Sequence, residues 1–127
     1  MSAKIPLAII GCGGMGHRHM YGLAELQESG LSPFELVGAC DPNLDNANSL
    51  ADQALERLGT RPQAVASLEE LAKLGDVQAV DICTLPAHHH SVAVEAMERG
   101  WHALCEKPVG LTARACKLMR EIGRAHV

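Results

Sequence analysis

The stretch Lys4-Ile5-Pro6-Leu7-Ala8-Ile9-Ile10-Gly11-Cys12-Gly13-Gly14-Met15-Gly16 is a short apolar run that stops abruptly at a GxGxxG loop. The run has the length of a buried strand. The glycines stand where that strand turns into a helix, expected from about Met15 to Glu28. Each glycine meets a separate demand, since Gly11 takes a tight turn, Gly13 lets a pyrophosphate approach the backbone, and Gly16 lets the helix pack closely on the strand. The first free N–H groups of the helix and its positive dipole end then face the phosphates, so the backbone from Gly11 through Cys12, Gly13, Gly14, Met15 and Gly16 is a candidate dinucleotide cradle. An ordinary strand-to-helix turn has the same look, and the order of strand, glycines, helix, strand and acid favours the cradle.

The acid is Asp41, which closes a second apolar run, Phe34-Glu35-Leu36-Val37-Gly38-Ala39-Cys40. It follows Gly16 by 25 residues, where about 20 is usual, and the loop Ser29-Gly30-Leu31-Ser32-Pro33 accounts for the excess. A carboxylate at the end of a second strand accepts hydrogen bonds from the ribose hydroxyls of an adenosine and repels a 2′-phosphate. Pro42 and Asn43 offer that phosphate no cation, so NAD is favoured over NADP. The competing role for Asp41 is helix capping or turn formation before Pro42.

Composition narrows the class further. Apolar residues make up 47% and the net charge is −4, which suits a soluble cytoplasmic α/β protein with no targeting segment and no membrane partner. Nucleic acid is not expected as a partner, because the chain is mildly acidic and Trp101, Tyr21 and Phe34 are its only aromatics. Five scattered cysteines without a CxxC pair read as free thiols. Of these, Cys40, Cys83 and Cys105 are expected in or at the ends of buried strands.

Strand and helix alternate along the remaining chain. Ala47, Leu50, Ala51, Ala54, Leu55 and Leu58 recur at helical spacing before Gly59, and a weak strand is expected near 63–66. Ser67-Leu68-Glu69-Glu70 has capping-box form and opens a short helix to Leu74; Ala79 to Thr84 is a fourth strand, which Pro86 breaks. A helix carrying Val92, Ala93, Ala96 and Met97 on one face ends at Gly100 and leads to a fifth strand over 102–105. Such alternation predicts a doubly wound parallel sheet with helices on both faces and a ligand at the carboxyl ends of the strands.

At the end of the fifth strand, Cys105-Glu106-Lys107-Pro108 puts an acid and a base over the expected ligand site. With Gly11, Gly13, Gly16 and His19, then Asp41, then Thr84, Pro86 and His90, and finally Glu106-Lys107-Pro108 and Gly110, the chain resembles the Gfo/Idh/MocA family of NAD(P)-dependent oxidoreductases. The resemblance implies a Rossmann fold and hydride transfer between a nicotinamide and a hydroxyl-bearing carbon, usually of a sugar, polyol or related small molecule. It places Lys107 beside the nicotinamide as the catalytic residue, with Glu106 positioning it or reaching the ribose. Thr84 and Pro86 come under the nicotinamide or its ribose, and His90 lines the cleft or packs. Pro108 rigidifies the turn, in some members through a cis bond.

Other features carry weaker expectations. The run His88-His89-His90 invites a metal, yet three consecutive side chains at a helix start diverge and no acidic or cysteine partner stands at ligand spacing, so no metal is expected. His17 and His19 read as first-helix residues near the phosphates. Asp81, inside the fourth strand, is a departure from the apolar residue expected there; it is either buried and paired or the mark of an edge strand.

Relatives of this kind also carry a second α/β domain that supplies the substrate wall, the catalytic base and a homo-oligomer interface, and no such sequence follows here. The last expected element is a helix of about ten residues capped by Thr112. The final residues, Glu121-Ile122-Gly123-Arg124-Ala125-His126-Val127, match a common short-read sequencing adapter translated to its in-frame stop. The expectation is an incomplete cofactor-binding domain over 1–120, a non-native tail over 121–127, and little or no turnover by the fragment alone. A non-catalytic NAD(H)-sensing module is the alternative, and a Rossmann-like methyltransferase a weaker third; neither has a use for Lys107.

Overall fold

A computed structural model describes residues 3–107 and 113–125 of the chain. Five strands, β1 (Ile5–Ile10), β2 (Phe34–Cys40), β3 (Gln63–Val65), β4 (Ala79–Ile82) and β5 (His102–Cys105), form one parallel sheet in the order β3-β2-β1-β4-β5. The helices between and after them are α1 (Gly14–Glu28), α2 (Leu44–Leu58), α3 (Leu68–Ala72), α4 (Pro86–Glu98) and α5 (Ala113–Ala125).

The central strand separates two cores. Successive side chains of a strand point to opposite faces, so Ala8 and Ile10 pack with Val80, Ile82, Leu71, Ala93, Ala96 and Met119 beneath α3, α4 and α5. Ile9 packs on the other face with Met20, Leu36, Ala39, Ala47, Leu50 and Ala54 beneath α1 and α2. Both faces of β1 are covered, which is why it reads as a continuous apolar run rather than an alternating one.

Strand order reverses between β1 and β4. Their connections leave in opposite directions, α1 toward β2 and α4 toward β5, and open a crevice at their carboxyl ends.

Helix ends follow local chemistry. Asn43 caps α2 by accepting from the Asp45 N–H at 3.1 Å, and Gly59 closes it in the left-handed conformation. The Ser67 hydroxyl accepts from the Glu70 N–H, and the Glu70 carboxylate accepts in return from the Ala66 N–H. The helix opened by this box, α3, stops at Ala72 rather than Leu74.

The structure corrects four expectations. Pro86 opens α4 rather than breaking the chain, because the first helical position has no use for an N–H. β4 ends at Ile82, leaving Cys83 and Thr84 in the loop above it. β5 is an exposed strand, with Leu104 at 64% exposure and Cys105 only half-buried. α5, with 13 residues from Ala113 to Ala125, is longer than the expected helix of about ten. Pro108, Gly110 and the expected cap Thr112 lie outside the described residues.

Candidate functional site

The crevice at the switch point is a cavity of about 760 Å³. Its floor is the glycine loop. Gly11 holds φ at +93°, and a Cβ there would lie 2.6 Å from the Cys83 carbonyl carbon and the Thr84 nitrogen. A Cβ on Gly16 would strike the Gly11 carbonyl oxygen, so α1 crosses β1 only because that position is bare. Gly13 and Gly14 have nothing within 4 Å of a would-be Cβ. They therefore leave room above the start of α1, where no side chain caps the helix and its first turn contains no acid. Open space over uncapped N–H groups suits a phosphate.

Asp41 stands on the same rim. Its Oδ2 accepts from the Cys12 N–H at 2.9 Å and its Oδ1 from the Asn43 N–H at 2.8 Å. The turn-forming role and the cavity-lining position thus coexist, since each carboxylate oxygen retains a free lone pair for a ribose hydroxyl. Cys12 contributes only backbone. Its thiol points into the core, and its pKa is pushed up to about 12 by burial and by the neighbouring Asp41 charge.

Across the cavity, Gly11, Gly13, Gly14, Met15 and Asp41 face Thr84, Pro86, Glu106 and Lys107. The Thr84 hydroxyl is buried without a hydrogen-bond partner among the described residues. Such an orphan costs about 1–3 kcal/mol unless a ligand meets it. Three of the expected residues fall elsewhere: Cys12 and Gly16 support the loop from below, and His90 does not line the cavity. It is His89 that is buried against the cavity wall, holding the Thr84 carbonyl oxygen from Nε2 at 2.8 Å, with His88 on the rim. The three histidines do diverge.

Beneath Glu106 lies a polar cluster that sequence reasoning missed. His19 reaches from α1 toward β4 and the end of β5 rather than toward the glycine loop: Nδ1 is 2.6 Å from Asp81 Oδ2 and Nε2 is 3.3 Å from Glu106 Oε1. Asp81 is buried and paired, which resolves the anomaly of a charge inside β4. The Cys83 thiol lies 3.4 Å from His19 Nδ1 and donates to Asp81 Oδ1 at 3.6 Å. Burial lowers the His19 pKa, but the hydrogen bond and charge of Asp81, then those of Glu106, more than offset it, so the net direction is upward.

His19, Asp81 and Cys83 bring three metal-ligand atoms within 4.8 Å of one another. The hydrogen bond already joins two of them, and burial with the adjacent carboxylates drives the thiol upward, so a proton is favoured over a metal. His17 stays near the loop, with Nδ1 on the Gly13 carbonyl oxygen at 2.9 Å.

A parallel sheet with this strand order, a glycine loop opening α1 and an acid ending β2 define a dinucleotide-binding Rossmann domain. The chain belongs to the Gfo/Idh/MocA oxidoreductase family of NAD-binding Rossmann fold, whose family model matches residues 5–126. Among curated proteins, inositol 2-dehydrogenase of Burkholderia cenocepacia (strain HI2424) is 27% identical over 96% of this chain and 34% of its own length.

Among solved structures, a myo-inositol dehydrogenase from Corynebacterium glutamicum ATCC 13032 matches with 30% identity and a TM-score of 0.76, over 95% of this chain and 33% of that one. The WlbA dehydrogenase from Bordetella pertussis, in complex with NADH and UDP-GlcNAcA, matches with 26% identity and a TM-score of 0.76, over 97% and 35%. The chain spans about a third of the length of these relatives. No helix among the described residues is long and apolar enough to cross a membrane.

Proposed function

We propose that the chain binds NAD across the switch-point cavity and is the cofactor-binding portion of an oxidoreductase acting on a sugar, polyol or related hydroxy compound. The observation that carries this reading is the convergence of Gly11, Gly13, Asp41, Thr84, Glu106 and Lys107 on one cavity. The pyrophosphate lies over Gly13 and Gly14 against the α1 N–H groups, the adenosine ribose meets Asp41, and the nicotinamide end meets the Thr84 hydroxyl. His90 is assigned a packing role rather than a cofactor contact.

Bound NAD supplies the hydride acceptor. Lys107 provides the charge: its ammonium is exposed beside the cavity and makes no ion pair or hydrogen bond among the described residues, leaving it free to stabilise a developing alkoxide. A module that only senses NAD(H) has no need of a cation there. Substrate class is taken from the relatives, which include enzymes named for inositol. In the 127-residue chain we expect cofactor binding with little turnover, because the Lys107 end of the cavity is open to water.

Calorimetric titration of NAD and NADP tests the cofactor assignment. NAD binds more tightly than NADP, and Asp41→Ala weakens NAD by about tenfold, in line with the loss of hydrogen bonds to a carboxylate. Unchanged NAD affinity in Asp41→Ala removes that residue from the site.

A further inference from the structure

His19 lies in the second turn of α1, within reach of two carboxylates, one on β4 and one just past the end of β5. Ionised carboxylates only accept hydrogen bonds, and a neutral imidazole has a single N–H. Contacts of 2.6 Å from Nδ1 and 3.3 Å from Nε2 to two such groups are both satisfied when each ring nitrogen carries a proton. Asp81 is fixed in the middle of β4. Glu106 follows β5 and is anchored through its own N–H to the Ile82 carbonyl oxygen at 3.1 Å. Its backbone is therefore tied to β4, and its side chain is tied through His19 to the same strand.

We propose that His19, doubly protonated, is a positioning residue that bridges Asp81 to Glu106 and so holds the Glu106-Lys107 turn over the cavity. The consequence for Lys107 rests on the NAD-site reading given above. With Glu106 engaged by His19, its carboxylate makes no ion pair with the neighbouring Lys107, whose ammonium stays available to a ligand. The titratable groups facing His19 are Asp81 and Cys83 from the β4 side and Glu106 from the β5 side, with Cys105 sensing the same two carboxylates. The acids outweigh burial in setting its protonation.

The test is ¹⁵N NMR of the 127-residue chain, following the His19 ring nitrogens and the Lys107 backbone amide across pH. The His19 midpoint is expected above its ordinary value of 6.5, with both ring nitrogens protonated while the two carboxylates are bridged. Glu106→Gln lowers that midpoint, because the second carboxylate that favours the charged ring is gone, and Glu106 is partly exposed, so this variant does not disturb the core. The Lys107 amide shifts with the His19 midpoint in the wild type, and the step vanishes in His19→Gln.

A His19 midpoint at or below 6.5, a midpoint unmoved by Glu106→Gln, or a Lys107 amide that ignores the His19 titration overturns the proposal. If His19→Gln does not fold, the wild-type titration and Glu106→Gln decide. NADH added to the same samples separates the two readings: failure to bind removes the cofactor assignment, while the ring titration still decides the bridge.

Discussion

The two ends of the cavity are built from different materials. At the glycine-loop end the working parts are backbone: uncapped N–H groups of α1, space left by Gly13 and Gly14, and one carboxylate held by two backbone donors. At the Lys107 end they are side chains from α1, β4 and the turn after β5, held by one another. A backbone site tolerates most side-chain changes and fails only where a bare Cα is required. A side-chain network instead loses its geometry one partner at a time and responds to pH.

The largest effect is expected where the backbone end is tightest. Gly11→Ala puts a Cβ 2.6 Å from the backbone of Cys83 and Thr84 at a φ of +93°, a clash with backbone atoms rather than with the end of a flexible side chain. A loss of about 3 kcal/mol or more is expected in urea denaturation. Gly13→Ala meets open space and is expected to lose less than about 1 kcal/mol while weakening NAD, since the methyl enters the phosphate position. Equal denaturation midpoints for the two variants would erase the distinction between the supporting and the ligand-facing glycines.

The next effect belongs to the other end. Asp81→Asn removes the charge that pairs with His19 from a buried position and is expected to cost about 2 kcal/mol at pH 6. Its pH dependence has a definite sign. Because the folded His19 pKa lies above 6.5, its contribution is complete below the unfolded value and is lost as pH rises through the raised folded value. The variant lacks most of that contribution at any pH, so the stability gap between it and the wild type narrows from pH 6 toward pH 9. A gap that is constant across this range breaks the assignment of charge to the pair.

The same contrast explains what can be read from residue types alone. Gly11 and Gly16 are demanded by backbone geometry, and such demands fall on one residue type at fixed spacing; the loop, Asp41 and the parallel sheet follow from them. Asp81 stands out as a charge in an apolar strand, but its partner His19 is 62 positions away and only the packing of α1 over β4 brings them together. Among His88, His89 and His90 the helix turns by about 100° per residue, so a shift of one decides which faces the cavity, and sequence spacing does not set that phase. Pro86 serves equally as a breaker and as a first helical residue, and only the chain's direction after Leu85 distinguishes them. The short β5 carries no burial pattern of its own, so its exposure is not legible in its residues.

The cysteines give the smallest and most selective readout, because they sample both ends at once. Cys12 and Cys40 lie beneath the Asp41 rim with thiol pKa values pushed up to about 12 by burial and then by the Asp41 charge, and that of Cys83 is driven upward by burial and then Asp81. Thiolate is the reactive form, so all three are expected to resist iodoacetamide at pH 8 in the folded chain. Cys105 and Cys116 are only half-buried and are expected to react first, with Cys105 slowed by the upward push of burial and of the Glu106 charge on its thiol. Peptide mapping of the alkylated chain reads the order directly. In Asp81→Asn the charge beside Cys83 is gone and its thiol is less disfavoured, so labelling of Cys83 rises while that of Cys12 and Cys40 stays put. A uniform rise at all three would instead mean that the substitution loosens the whole sheet, and the two ends of the cavity would then be one mechanical unit rather than two.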